Sequence, residues 1–212
     1  MNRNVCVLLT LLIASALFVP TMAEAQGFGQ DDPPTIQIAP FAGYQFGGSL
    51  RSDLLERKLS FAGGLSLGGT IDIAISHSWR LELYYSRQDT ELEAGGSDIP
   101  VFDVRVERYM VGFMEEKGEG SVKYFGVLLL GATRFVPGDG NLSSDTRLAG
   151  GLGLGVKTFF SKNVGLRFEG HAFYTSVSAE GGVFCTAGRC LFRYSGRGIW
   201  EGDVAAGLII AF

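Results

Sequence analysis

The sequence predicts an all-β fold of eight antiparallel strands in up-and-down order, closed into a transmembrane β-barrel. Three observations predict it. Beyond residue 25, apolar residues recur with a period of two, and no apolar stripe at helical spacing is sustained. The strand-like stretches run to about 12–15 residues, where strands commonly have about five or six. The faces opposite the apolar ones are sparse in lysine and rich in glycine, alanine and serine, whereas a surface bathed in water is liberally charged. Composition agrees with this reading. Of 212 residues, 31 are glycine and 6 are proline. Glycine far above its usual share of about 7% suits strands that pack closely or bend, and so little proline argues against disorder. The net charge of −4 offers no basic footprint for nucleic acid.

The elements follow in order. "MNRNVCVLLTLLIASALFVPTMAEAQ" has an early Arg3, an apolar run from Val5 to Val19, and a small-x-small site at Ala23-Glu24-Ala25. That pattern predicts a secretory signal over residues 1–25. A membrane anchor is the competing reading, but the run is shorter than the roughly 20 residues of a helical span. Cys6 lies away from the cleavage site, which argues against a lipoprotein. A short polar periplasmic segment, 26–34, leads into a barrel over 35–212. Its predicted strands are Thr35–Phe46, Leu59–Ile75, Trp79–Glu93, Val101–Met114, Val122–Phe135, Arg147–Phe160, Val164–Val177 and Gly198–Phe212. The links "SHS", "EEKGEGS" and "SKN" are short and polar. They alternate with the mostly longer "GGSLRSDLLERK", "AGGSDIP", "VPGDGNLSSDT" and "SAEGGVFCTAGRCLFRYSG". Short turns on one rim and longer loops on the other are the layout of an outer-membrane barrel.

Which face meets lipid is read from the strands themselves. Trp79, Leu81, Leu83 and Tyr85 oppose Arg80, Glu82, Tyr84 and Ser86; Val204, Leu208 and Ile210 oppose Glu201, Asp203 and Ala205. Aromatics gather near strand ends, with Trp79, Phe160 and Phe212 toward the turns. Phe46, Phe102, Phe135, Tyr174 and Trp200 lie toward the loops. Two aromatic rings at interface depth suit a barrel in lipid, where the sheet must close because lipid satisfies no backbone group. The interior is then expected to hold Asp72, Arg80, Glu82, Asp103, Arg105, Glu107, Arg108, Arg134, Arg147, Lys157, Arg167, Glu169, Glu201 and Asp203. Buried charges persist when paired. One strand conflicts with a single phase: placing Phe102, Val104 and Val106 outside also places Arg108 outside, at a cost of about 2–4 kcal/mol at mid-bilayer. A bulge near Glu107–Arg108 is therefore expected, turning both inward.

Cys185 and Cys190, in "VFCTAGRCLF", flank a glycine-containing turn and are expected to form a disulfide in an oxidising compartment. Half a metal site is the alternative, but no histidine lies nearby in the sequence.

"GLGLGVKTFFSKNVGLRFEGHAFY" (Gly151–Tyr174) resembles the Gly-x-Gly strand, short turn and following strand of the OmpA-like and opacity-like eight-stranded outer-membrane barrels. "GLIIAF" (Gly207–Phe212) is similar to the C-terminal assembly signal of such proteins, carried here by Gly207, Ile210 and Phe212. Ala205 stands where a polar residue is usual. The resemblance spans essentially all of the chain after the leader. It implies the cell outer membrane as location and the barrel-assembly machinery as a partner during biogenesis.

Functionally, the expectation is a monomeric barrel with a structural or surface-interaction, adhesin-like role and an interior plugged by charged side chains. Its partners are outer-membrane lipid and lipopolysaccharide, with an extracellular ligand at the loops. A narrow porin-like channel is the alternative. An outer-membrane lipid-modifying enzyme is a weaker one: His171 and Glu169 supply a base and an orienter, but the alternation points Ser176 outward. The His-x-Ser pair of barrel-type lipid A deacylases is absent, since residue 173 is Phe, and His77 falls in a turn. A soluble lipocalin-like binder would need the opposite arrangement of faces. "LAGGLGLGV" alternates within a strand and lacks the strand-to-helix switch and Lys-Ser/Thr of a phosphate loop. No catalytic, cofactor or metal site is therefore assigned.

Overall fold

The computed structural model describes residues 35–52, 57–94, 100–138, 143–176, 182–186, 189–193 and 198–212. The leader and residues 26–34 lie outside them. The described strands are β1 (Ile36–Gly47), β2 (Ser49–Ser52), β3 (Arg57–Phe61), β4 (Gly64–Ala74), β5 (Trp79–Ala94), β6 (Pro100–Lys117), β7 (Val122–Pro137), β8 (Asp145–Phe159), β9 (Val164–Ser176), β10 (Gly182–Thr186), β11 (Arg189–Arg193) and β12 (Gly198–Ala211). Eight of them, β1, β4 to β9 and β12, close into an antiparallel barrel in chain order, with β1 hydrogen-bonded to both β4 and β12.

Following paired residues around the wall leads from Ala74 through Arg80, Met114, Val127, Gly153, His171, Asp203 and Gln45 to Gly64. The path returns to β4 ten residues from where it left. That stagger tilts the strands steeply and fixes a lumen that side chains fill. Short turns join the strands at one rim. In two of them a serine hydroxyl accepts a backbone N–H: Trp79 N–H bonds Ser76 at 3.2 Å and Val164 N–H bonds Ser161 at 3.1 Å. The third short turn uses positive φ at Gly118 and Gly120.

The arrangement is inside out, as the alternation predicts. Leu83, Leu128, Leu152, Leu154, Val204 and Leu208 stand exposed on the outer wall, while Glu82, Arg108, Lys157, Arg167 and Asp203 are buried within. The predicted second strand is in fact two. It breaks at Ala62–Gly63, and β3 pairs instead with β2 and with the upper end of β5. The break also changes the phase: Phe61 turns in and stacks on Phe135 at 5.9 Å between centroids. Phe135, expected in the loop-side aromatic ring, is therefore an interior residue. The hairpin β10–β11 sits in the last long loop, and its register sets Cys185 opposite Cys190.

β6 corrects the largest expectation. No bulge interrupts it at Glu107–Arg108; the ladders to β5 and β7 run regularly through both residues. The irregularity in this pair lies instead at Leu92/Glu93. Arg108 is inside because the whole strand has the opposite phase, with Val104, Val106, Met110 and Met114 buried beside it. Tyr109, Val111 and Phe113 are outside. As a consequence Asp103, Arg105 and Glu107 point outward, not into the lumen, and Arg134 on β7 does the same.

Candidate functional site: the ionic interior

The interior is the densest chemistry in the molecule, and it is layered. Nearest the turn rim, Arg167 on β9 gathers three carboxylates. Its Nε donates to Glu169 at 2.5 Å, Nη2 to Glu82 at 2.5 Å, and Nη1 to Asp72 at 3.0 Å and Thr70 at 3.1 Å. Lys157 on β8 shares Asp72 at 2.8 Å, donates to Gln37 at 2.9 Å and reaches Glu116. Arg80 completes the line, donating to Glu116 at 2.8 Å. The ring of Phe125 lies under both cations, 4.4 Å from the Arg167 guanidinium carbon and 5.3 Å from Lys157 Nζ.

The middle layer is mostly apolar, with Phe41, Tyr84, Met110, Val127, Leu129, Phe173 and Ala205 in one cluster. Its polar thread runs through Asp203, which accepts the Tyr84 hydroxyl at 3.1 Å and faces His171 Nδ1 at 2.9 Å. The other imidazole nitrogen is 3.7 Å from Glu169, linking this thread to the layer below. The neighbouring strand makes room: Gly153 is the register partner of His171, and a Cβ there would lie 2.2 Å from the imidazole. Above the middle layer, Arg108 donates to Glu201 at 2.5 Å and Gln45 at 2.7 Å, and Gln45 donates back to Glu201 at 3.0 Å. The Arg108 guanidinium covers the Phe173 ring at 4.7 Å. Thr133 on β7 and Thr175 on β9 bond over the intervening β8 at 3.1 Å, and Phe61–Phe135 stack nearer the loops.

Of the charges expected inside, Asp72, Arg80, Glu82, Arg108, Lys157, Arg167, Glu169, Glu201 and Asp203 meet in these layers. Arg147 faces the lumen near the loop rim, paired with Asp145 at 2.8 Å. Arg105 and Glu107 do not join them: Arg105 bonds Asp89 on the outer face, and Glu107 accepts the Tyr109 hydroxyl. Glu116, Gln37 and Gln45 complete the network and went unassigned in the sequence. Glu116, expected in a turn, lies on β6, which continues to Lys117 and carries it inward. The glutamines sit on the strand Ile36–Gly47, whose alternation with the apolar Ile38, Tyr44 and Phe46 was the available clue.

The arrangement can hold charge but presents no acyl-transfer geometry among the described residues. His171 is oriented by Asp203, as a base would be, yet Ser176 stands on the outer face two positions beyond the outward Tyr174. His77 is exposed in its turn. No group of three or more metal-ligating side chains is assembled among the described residues.

No family model matches the chain, and no curated protein matches it. Solved structures do. Neisserial surface protein A (NspA) superposes with a TM-score of 0.59 at 17% identity, over 84% of this chain and 97% of that one. The outer membrane protein AlkL, solved in lipid bilayers, gives 0.54 at 13% identity over 90% and 96%. OprG from Pseudomonas aeruginosa gives 0.50 at 14% identity over 85% and 98%. At these identities what is shared is the fold, and with it the chain is an eight-stranded antiparallel barrel built on the plan of small outer-membrane proteins.

Proposed function

We propose that the chain is a barrel of the cell outer membrane whose role is structural and surface-directed, presenting its long loops on a plugged support. One observation carries this reading. From the turn-side layer up to Arg108 the ionic side chains are buried, with Arg108, Lys157 and Glu82 at 0% exposure and Arg167 at 1%. Burial of that degree supports a plugged lumen over a continuous aqueous path along the axis. The exposed leucines and aromatics outside demand a hydrocarbon environment. The comparison with NspA, itself named a surface protein, agrees with a surface role.

In this reading the leader exports the chain, and the termini lie on the periplasmic side with the short turns. The outward Phe212 and Ile210, with Gly207, serve as the assembly signal; Gly207 lies against Pro40 on the closing strand, where a Cβ would come within 2.8 Å of its carbonyl oxygen. A Cys185–Cys190 disulfide stiffens the β10–β11 hairpin, whose backbone register sets the two residues face to face.

Purified protein in a planar bilayer is expected to give no steady conductance steps. A stable open level would overturn the plug and favour a narrow channel. For the surface role, cells carrying the chain with Ser178–Arg197 deleted are expected to lose adhesion to a host-cell monolayer. The barrel should still assemble, seen as faster gel migration before heating. Unchanged adhesion would count against the loops as the contact.

A further inference from the structure

The buried interior holds more carboxylates than cations. Its four cations are Arg80 on β5, Arg108 on β6, Lys157 on β8 and Arg167 on β9. Six carboxylates face them: Asp72 on β4, Glu82 on β5, Glu116 on β6, Glu169 on β9, and Glu201 and Asp203 on β12. β1 and β7 bring glutamine, threonine and apolar groups to the lumen but no buried charge among the described residues. The contacts assign most of these groups. Arg80 and Lys157 serve Glu116 and Asp72, and Arg108 serves Glu201. Arg167 divides a single charge between Glu82 and Glu169 while also touching Asp72. Asp203 is met by the Tyr84 hydroxyl and by His171, but by no arginine or lysine among the described residues.

His171 stands between the two carboxylates on β9 and β12 that are left short. Its Nδ1 lies 2.9 Å from Asp203, and its Nε2 faces Glu169 at 3.7 Å and makes no hydrogen bond among the described residues. The ring is hemmed in. Phe173 stacks on it at 5.4 Å between centroids, Tyr84 packs against it at 5.2 Å, and the β8 backbone at Gly153 runs alongside. A neutral imidazole has one N–H and one lone pair. Between two carboxylates, either neutral tautomer turns its lone pair on one of them. The imidazolium donates to both sides and cancels one of the two surplus charges, where a low dielectric makes the difference large.

We propose that His171 is a proton-binding site inside the barrel, held as the imidazolium and latching Glu169 on β9 to Asp203 on β12. With the proton bound, the middle thread and the turn-side layer form one network. Without it the contact between them turns repulsive, so the plug loosens as pH rises. The proposal rests on the plugged reading, and the two fail differently. Steady conductance at neutral pH ends the plug, whereas a closed barrel with a neutral His171 ends only the latch.

The chain has two histidines, so H77Q leaves His171 as its one imidazole. Nitrogen-15 NMR of that full barrel in phosphatidylcholine vesicles then reads the ring directly. Both ring nitrogens are expected to carry protons at about pH 7.5, where a free imidazole is mostly neutral. E169Q is expected to convert the ring to the neutral form with its N–H on Nδ1, because the glutamine amide offers Nε2 a donor. Urea unfolding is the second readout. A proton held by the folded barrel and not by the unfolded chain makes stability fall as pH rises above the free-histidine range, until the site empties. Over that span the folding constant is expected to drop about tenfold per pH unit, the slope of one proton. H171N, whose amide can still donate to Asp203, is expected to lose that slope. Should H171N fail to assemble, the spectrum and E169Q decide. A ring with a single N–H at that pH, an unchanged spectrum in E169Q, or a parental slope in H171N would each overturn the proposal.

Discussion

Replacing Arg167 with methionine is expected to destabilise the barrel by about 3–5 kcal/mol, the cost of stripping the partner from buried charges. The magnitude follows from what Arg167 holds. It is the shared donor for Glu82, Glu169 and Asp72, all buried; when it is gone Asp72 keeps Lys157, Glu169 keeps only the imidazole of His171 at 3.7 Å, and Glu82 loses its ion-pair partner. Methionine preserves much of the side-chain volume and the contact with Phe125, so lost packing contributes little. The measurement is urea unfolding from lipid vesicles, followed by tryptophan fluorescence from Trp79 and Trp200. A combined R167M/E82Q/E169Q variant is expected to recover a good part of the loss, since two of the orphaned charges go with the arginine. A loss for R167M below about 1 kcal/mol, the range of an exposed pair, would mean the cluster is hydrated and the plug is looser than the geometry implies.

How much of this was legible in the sequence depends on the strand. In β9, β12 and the turn-side half of β5 one face carries charge and the other carries Leu, Val or aromatics, so there the period of two gives strand, phase and burial together. In β6 and β7 both faces are apolar over long stretches: Val104, Val106 and Met110 inside against Tyr109, Val111 and Phe113 outside, and Phe125, Val127 and Leu129 inside against Tyr124, Leu128 and Leu130 outside. Alternation cannot choose a phase there, and the expected bulge was a repair for choosing the wrong one. The outward Arg105, Glu107 and Arg134 have a second cause. β6 has 18 residues and β5 has 16, well beyond the roughly 9–11 that cross a bilayer. Charge in the overshooting part of a strand need not turn inward. The pairings were out of reach altogether, because Arg167 meets partners 85 and 95 positions away in the chain, and only the register decides which carboxylate arrives beside it.

Leu154→Arg is expected to cost about 2–4 kcal/mol, the penalty of a guanidinium facing lipid near the bilayer midplane. Leu154 is 73% exposed, and in a water-soluble barrel an exposed leucine on a strand face would exchange for arginine within about 0.5 kcal/mol. The two environments therefore predict results that differ several-fold for one substitution. Depth gives a sharper version. Leu148 lies on the same face of β8 and is equally exposed, but it sits six residues nearer the loops. There an arginine reaches the headgroups, and the penalty should fall to about 0–1 kcal/mol. Reversible unfolding of both variants from phosphatidylcholine vesicles measures the difference. A gradient from Leu154 to Leu148 locates hydrocarbon against the outer wall. Equal and small costs would instead place water there, and the paired charges inside would have to be explained as the core of a different kind of barrel.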